Sequence, residues 1–93
     1  MNNVRVNHTS HAFAADLFAK LREATSDGVG ITRDSYGAGE SIALDIVETA
    51  ARAHALETTR DDAANLVVTL PGSDPALPVL ACGSHLDLSL IHI

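Results

Sequence analysis

Residues 65–70 read NLVVTL, 71–76 read PGSDPA, and 77–85 read LPVLACGSH. The first block is strongly β-branched and the second is a turn cluster. The third is a nearly unbroken apolar run, with no alternation between a wet and a dry side. A strand that is apolar on both sides is usually covered on both faces, as in a layered α/β domain. This stretch therefore predicts strands over 65–70 and 77–85. LETT at 56–59 adds a short strand before them.

Upstream the apolar period changes from two to about four. Over residues 10–25, Phe13, Leu17 and Leu21 recur every four positions, and Ala14, Phe18 and Ala24 widen the stripe. Asp16, Lys20 and Glu23 fall on the opposite side. The spacing predicts an amphipathic helix with Thr9 or Ser10 as its N-cap. SDGVG at 26–30 stops it, because Gly28 and Gly30 suit turn conformations. A second helix is predicted over 40–55, with Ile42, Ile46, Val47, Ala50 and Ala53 on its apolar face. Glu48 and Arg52 form a favourable i,i+4 pair outside that face. Asp34 or Ser35 is the expected cap.

At 93 residues the chain has room for one small domain. Two Phe and one Tyr are its aromatic residues, so Ala, Leu, Val and Ile must build the core. The formal net charge is −6 and no stretch gathers positive charge, which excludes an electrostatic footprint for nucleic acid or anionic lipid. Cys82 is the single cysteine; in its apolar run it reads as a small buried hydrophobe rather than a nucleophile. The N-terminus lacks the basic flank and apolar run of a secretory signal, and no window reaches the ~18 apolar residues of a membrane span. A soluble, cytoplasmic protein is expected.

The chemistry gathers at GSHLD, residues 83–87. His85 and Asp87 are two apart, so in a continuing strand their side chains leave one face. A neutral imidazole is a good metal ligand, and a carboxylate on its other ring nitrogen fixes the tautomer. The same spacing also suits a strand-end histidine bonded to backbone, with Asp87 as a solvated turn residue. A Ser84–His85–Asp87 triad is rejected, because adjacent strand residues point to opposite faces. His8, His11 and His54 share no ligand spacing and read as surface or helix-flank residues. Gly28-Val29-Gly30 lacks the third glycine and the preceding strand of a dinucleotide loop.

Taken in order, DGVGITRDSYGAGE, DDAANLVV and PVLACGSHLD resemble the N-terminal part of a hydrolase family. It comprises the zinc-dependent amidohydrolases that include N-carbamoyl-L-amino-acid hydrolases, allantoate amidohydrolases and β-ureidopropionases, relatives of the aminoacylase and carboxypeptidase type of co-catalytic metallopeptidases. The resemblance covers residues 10–87 and is most specific at GSHLD. Glycine is more usual in the family just before Asn65, where this chain has Ala64.

The resemblance implies an N-terminal piece, two helices plus about three strands, of a layered α/β/α metallohydrolase catalytic domain with its sheet incomplete. It implies that His85 ligates one of two divalent metal ions, zinc or manganese, and that Asp87 orients it. The bridging aspartate, the Glu-Glu pair and further histidines of such enzymes would lie beyond residue 87. The parent would be a homodimer hydrolysing the C–N bond of a small carbamoyl, ureido or allantoate-type substrate. The 93-residue chain alone is expected to be inactive, marginally stable and prone to aggregate.

After Asp87 the family pattern stops. The codons CTG-TCT-CTT-ATA-CAC-ATC would encode LSLIHI, residues 88–93, and they match the mosaic end of a transposase-based sequencing adaptor. The expected organisation is a catalytic-domain fragment over 1–87 followed by a foreign tail. The competing expectations are a natural terminal strand at 88–93 and, for the whole chain, a complete non-enzymatic α+β binding module.

Overall fold

The computed structural model describes residues 8–89, in the order α1 (His8–Ala24), β1 (Thr32–Arg33), α2 (Ala38–Ala53), β2 (Glu57–Arg60), β3 (Leu66–Thr69) and β4 (Leu88–Ser89). The architecture is mixed α/β, two helices with two small antiparallel sheets, β1–β4 and β2–β3.

Both helices form where the period places them, and their ends differ from the expected caps. α1 begins at His8, so Thr9 and Ser10 lie within its first turn. α2 begins after Gly37, which offers no side chain. No side chain caps this end, neither Asp34 nor Ser35; the Asp34 carbonyl accepts the Gly37 N–H at 2.8 Å, and Glu40 Oε1 accepts the Tyr36 N–H at 2.9 Å just outside the helix. The i,i+4 pair forms, with Arg52 Nη2 3.3 Å from Glu48 Oε2.

The helices meet along small residues. Leu21 of α1 and Ala43 and Ala51 of α2 are the buried apolar side chains among the described residues. The predicted stripe of α2 is only partly covered, with Ile42 43% exposed, and Phe18 of α1 is 72% exposed. Phe13 instead sets its ring edge against His54, centroids 4.4 Å apart. The two helices leave an apolar groove of about 450 Å³ between them. The Cα radius of gyration, 15.5 Å, exceeds the ~12 Å usual for a compact domain of this length.

The segment between α1 and β1 is built on Asp27. Its Oδ1 accepts the Val29 N–H at 3.0 Å and the Gly30 N–H at 2.6 Å, and its Oδ2 accepts the Thr32 hydroxyl at 2.7 Å. Gly28 sits at φ 87°, as such a turn requires. Principally the Thr32 hydroxyl, then the Gly30 and Val29 amides, hold the Asp27 carboxyl below its ordinary value.

β2 and β3 pair from Glu57↔Thr69 to Arg60↔Leu66, close to the two predicted strands. Arg60 ties this hairpin to α2, its Nη2 lying 2.9 Å from Asp45 and 3.1 Å from Glu48. The hairpin loop turns on Asp61, whose Oδ1 accepts the Ala63 and Asn65 N–H groups, each at 2.9 Å. Ala64 then takes φ 66°, in the left-handed region that favours glycine. The alanine at this position is therefore a strained choice for the turn it makes.

The predicted third strand does not form. Residues 77–85 have no ladder partner, and Val79 and Leu80 are 90% and 99% exposed. Extended backbone becomes a strand only where a neighbour satisfies its N–H and C=O groups. The hairpin of β2 and β3 does not reach this segment, and Pro78 cannot donate to a ladder. Cys82 is exposed for the same reason, which corrects its reading as a buried hydrophobe. Regular pairing returns at β4, where Leu88 stands opposite Arg33 and Ser89 opposite Thr32. Residues 90–93, including His92, lie outside the described residues.

Candidate functional site

The segment 82–87 forms one wall of a cleft of about 730 Å³. Across it stand Tyr36 and Glu40 at the start of α2, Leu44 and Val47 further along that helix, and Asn65 and Val68 of the hairpin. The lining thus combines polar side chains with the aliphatic Leu44 and Val47 of α2. Such a concave, partly apolar hollow with a few convergent polar groups is the usual setting of a small-molecule site.

Inside it, His85 and Asp87 face each other. The His85 Nδ1 lies 3.0 Å from Asp87 Oδ1 and 3.1 Å from the Asp87 carbonyl oxygen. Both neighbours are acceptors, so Nδ1 carries a proton, and in the neutral form of the ring Nε2 is the lone-pair nitrogen. The two sequence readings, carboxylate partner and backbone partner, are met by the same residue. The His85 side chain is 80% exposed and that of Asp87 41%.

The pair reaches this geometry without a strand, because residues 85–87 belong to no ladder. What holds the backbone here is Arg33. Its Nε donates to the Leu86 carbonyl at 2.6 Å, and its Nη1 donates to Thr25 Oγ1 at 3.1 Å. Neither Arg33 nor Thr25 stands out in the sequence as a site residue. The nearest signal is the ITRD stretch, where a cation sits in a short strand.

The remaining candidates separate. His11 is exposed on α1, and His54 follows α2 as its C-cap. Among the described residues no group of three or more His, Cys, Asp or Glu side chains converges as a metal site. One imidazole backed by one carboxylate does not fit a catalytic divalent metal, which takes ~3 protein ligands besides water. No catalytic step through a metal therefore follows from these side chains alone. Among the described residues, no helix is long and apolar enough to cross a membrane.

The chain is 34% identical over 68 residues, 73% of its length, to an N-carbamoyl-L-amino-acid amidohydrolase of Paenarthrobacter aurescens. The matched stretch spans 16% of that protein. The likeness supports an amidohydrolase relationship. No family model matches the chain, and no solved structure matches it.

Proposed function

We propose that this chain is the N-terminal part of a metal-dependent amidohydrolase acting on a non-peptide C–N bond of a small carbamoyl, ureido or allantoate-type substrate. The observation that carries the reading is the partial likeness to an N-carbamoyl-L-amino-acid amidohydrolase, over 68 residues. The presence of an imidazole–carboxylate pair in the cleft agrees with it.

In this reading the chain contributes one corner of the active site. Asp87 holds the His85 proton on Nδ1, and Nε2 is left as a donor atom for one of two divalent ions, zinc or manganese. The other ligands and the general base come from the rest of the parent domain, a layered α/β/α fold in which residues 77–85 become an internal strand. The parent is a cytoplasmic homodimer with no nucleic-acid or membrane partner, and LSLIHI is foreign to it. The 93-residue chain by itself is inactive.

Sequencing the genomic locus downstream of the Asp87 codon tests this. The expected result is an open reading frame that continues through a Pro and Gly-Gly turn to an aspartate and a Glu-Glu pair. A natural stop codon directly after Ile93 would refute the reading, as would zinc-dependent hydrolysis of an N-carbamoyl amino acid by the purified chain for its second half.

A further inference from the structure

We propose that Arg33 is a positioning residue for the His85–Asp87 pair, acting through the peptide between them and braced by Thr25. The inference rests on the functional reading above for the importance of the pair, and on the hydrogen bonds alone for the tether.

Three observations converge on it. The Leu86 carbonyl that Arg33 Nε binds at 2.6 Å lies between the two site residues, 53 positions away in sequence. Fixing that carbonyl orients the Leu86–Asp87 peptide plane, which contains the Asp87 Cα and begins one residue after His85, and so limits how the two side chains stand to each other. Second, the guanidinium is itself held: Nη1 donates to Thr25 Oγ1 at 3.1 Å, and that hydroxyl donates to the Leu21 carbonyl at 2.7 Å. Thr25 is the buried polar residue at the end of α1, and Leu21 is a core residue. The tether thus runs from the helix core through Arg33 to the site. Third, it engages where the otherwise uncovered segment first becomes half-buried. Residues 77–85 are exposed, and burial begins at Leu86.

The forked guanidinium suits this role because it donates along two directions at once, to the carbonyl and to the hydroxyl. A lysine at position 33 supplies the charge from a single nitrogen, without the two fixed donor directions of the fork.

The test is a long-range proton–nitrogen NMR spectrum of the His85 ring in the ¹⁵N-labelled 93-residue chain, without added metal. At about pH 8 an ordinary imidazole is neutral, so the spectrum reports its tautomer. In the wild type the Nδ1–H tautomer should dominate at His85, while the solvated ring of His11 favours the Nε2–H form. Arg33→Ala should move the His85 tautomer ratio toward that of His11 by about fivefold, the effect of losing one hydrogen-bonded arrangement. Arg33→Lys should recover part of the shift, and Thr25→Val should give a smaller one. Arg60→Ala, at the remote hairpin, should leave the His85 ring unchanged.

Helical circular dichroism separates displacement of the pair from unfolding. An Arg33→Ala chain with intact helices and a wild-type His85 tautomer overturns the proposal. Should Arg33→Ala unfold, an unchanged His85 tautomer in folded Thr25→Val overturns it instead. Because the readout needs neither metal nor substrate, it stands apart from the sequencing of the locus. A failed tether leaves the amidohydrolase reading intact, and a stop codon after Ile93 leaves the tether measurable.

Discussion

A β-carbon added at Gly39 would lie 2.8 Å from the carbonyl oxygen of Thr32, so the first turn of α2 rests directly on the backbone of β1. The same carbon would come within 2.9 Å of the Arg33 Cα. The glycine is what lets the helix approach the strand that carries the Arg33 tether.

Gly39→Ala should therefore destabilise the chain even though alanine is the better helix former by ~1 kcal/mol. Backbone rather than a flexible side chain occupies the space, so the helix must move. Urea unfolding followed by circular dichroism should give a lower midpoint than wild type. Gly72→Ala provides the control, because nothing lies within 4 Å of its added carbon. A midpoint unchanged by Gly39→Ala would show that the close approach is not maintained in solution.

Ala64→Gly should do the opposite. Ala64 holds φ 66° in the loop between β2 and β3, a conformation that costs an L-residue roughly 1–2 kcal/mol. Glycine relieves that cost and returns part of it through the greater freedom of the unfolded chain. A net gain of about 0.5–1 kcal/mol is expected, read as a rise in the urea midpoint. The left-handed φ at position 64 thus suits glycine better than the alanine this chain carries.

How far the sequence leads can be judged from such positions. The helices were legible because Phe13, Leu17 and Leu21, and then Ile42, Ile46 and Ala50, follow a local period that needs no partner. The strands β2 and β3 were legible from their β-branched residues, whereas their antiparallel pairing across a short loop emerged only in the structure. The apolar run at 77–85 misled for the converse reason: its composition describes a strand with two neighbours, and strand formation depends on whether those neighbours exist. At the site, the two-residue spacing singled out His85 and Asp87, but through a strand that does not form; the pair meets instead in an unpaired segment. Arg33 was not singled out, because its partner lies 53 residues away and pattern reading along the chain does not bring them together.

Acid should weaken the fold through three carboxylates. Asp27 is held low chiefly by the Thr32 hydroxyl, Glu48 chiefly by the Thr58 hydroxyl and then by Arg52 and Arg60, and Asp61 chiefly by the Asn65 side chain. A carboxylate whose folded pKa is depressed contributes stability that is present above its unfolded value, about 4. That contribution is lost as pH falls through the lower, folded value. The urea midpoint should accordingly be flat near neutrality and fall below about pH 4. Asp27→Asn should lower the midpoint at neutral pH and make the acid limb shallower, since one of the three groups no longer titrates.

The uncovered apolar surface should be visible in solution. Val79 and Leu80 are 90% and 99% exposed, and Leu70 and Leu77 lie on the same stretch of chain. Contiguous exposure of this kind marks association or aggregation. The wild-type chain should bind a hydrophobic fluorophore and sediment as mixed species that grow with concentration. Leu80→Asp should reduce both signals while leaving helical circular dichroism unchanged. A monomer that binds no fluorophore would show that this segment finds cover within the chain.

The pairing of β1 with β4 has a consequence for the order in which structure is acquired and lost. The β2–β3 hairpin closes across a loop of a few residues, whereas the Arg33–Leu86 contact joins positions 53 apart. Closing the longer loop costs about 2 kcal/mol more in chain entropy, and only two residue pairs of ladder accompany it. The helices and the hairpin can therefore persist while this junction opens. In hydrogen exchange the amides of β1 and β4 should be the first to lose protection. The histidine and aspartate are thus secured by the last clasp to close and the first to open, so in this chain the lifetime of their arrangement is set by that junction and not by the helices.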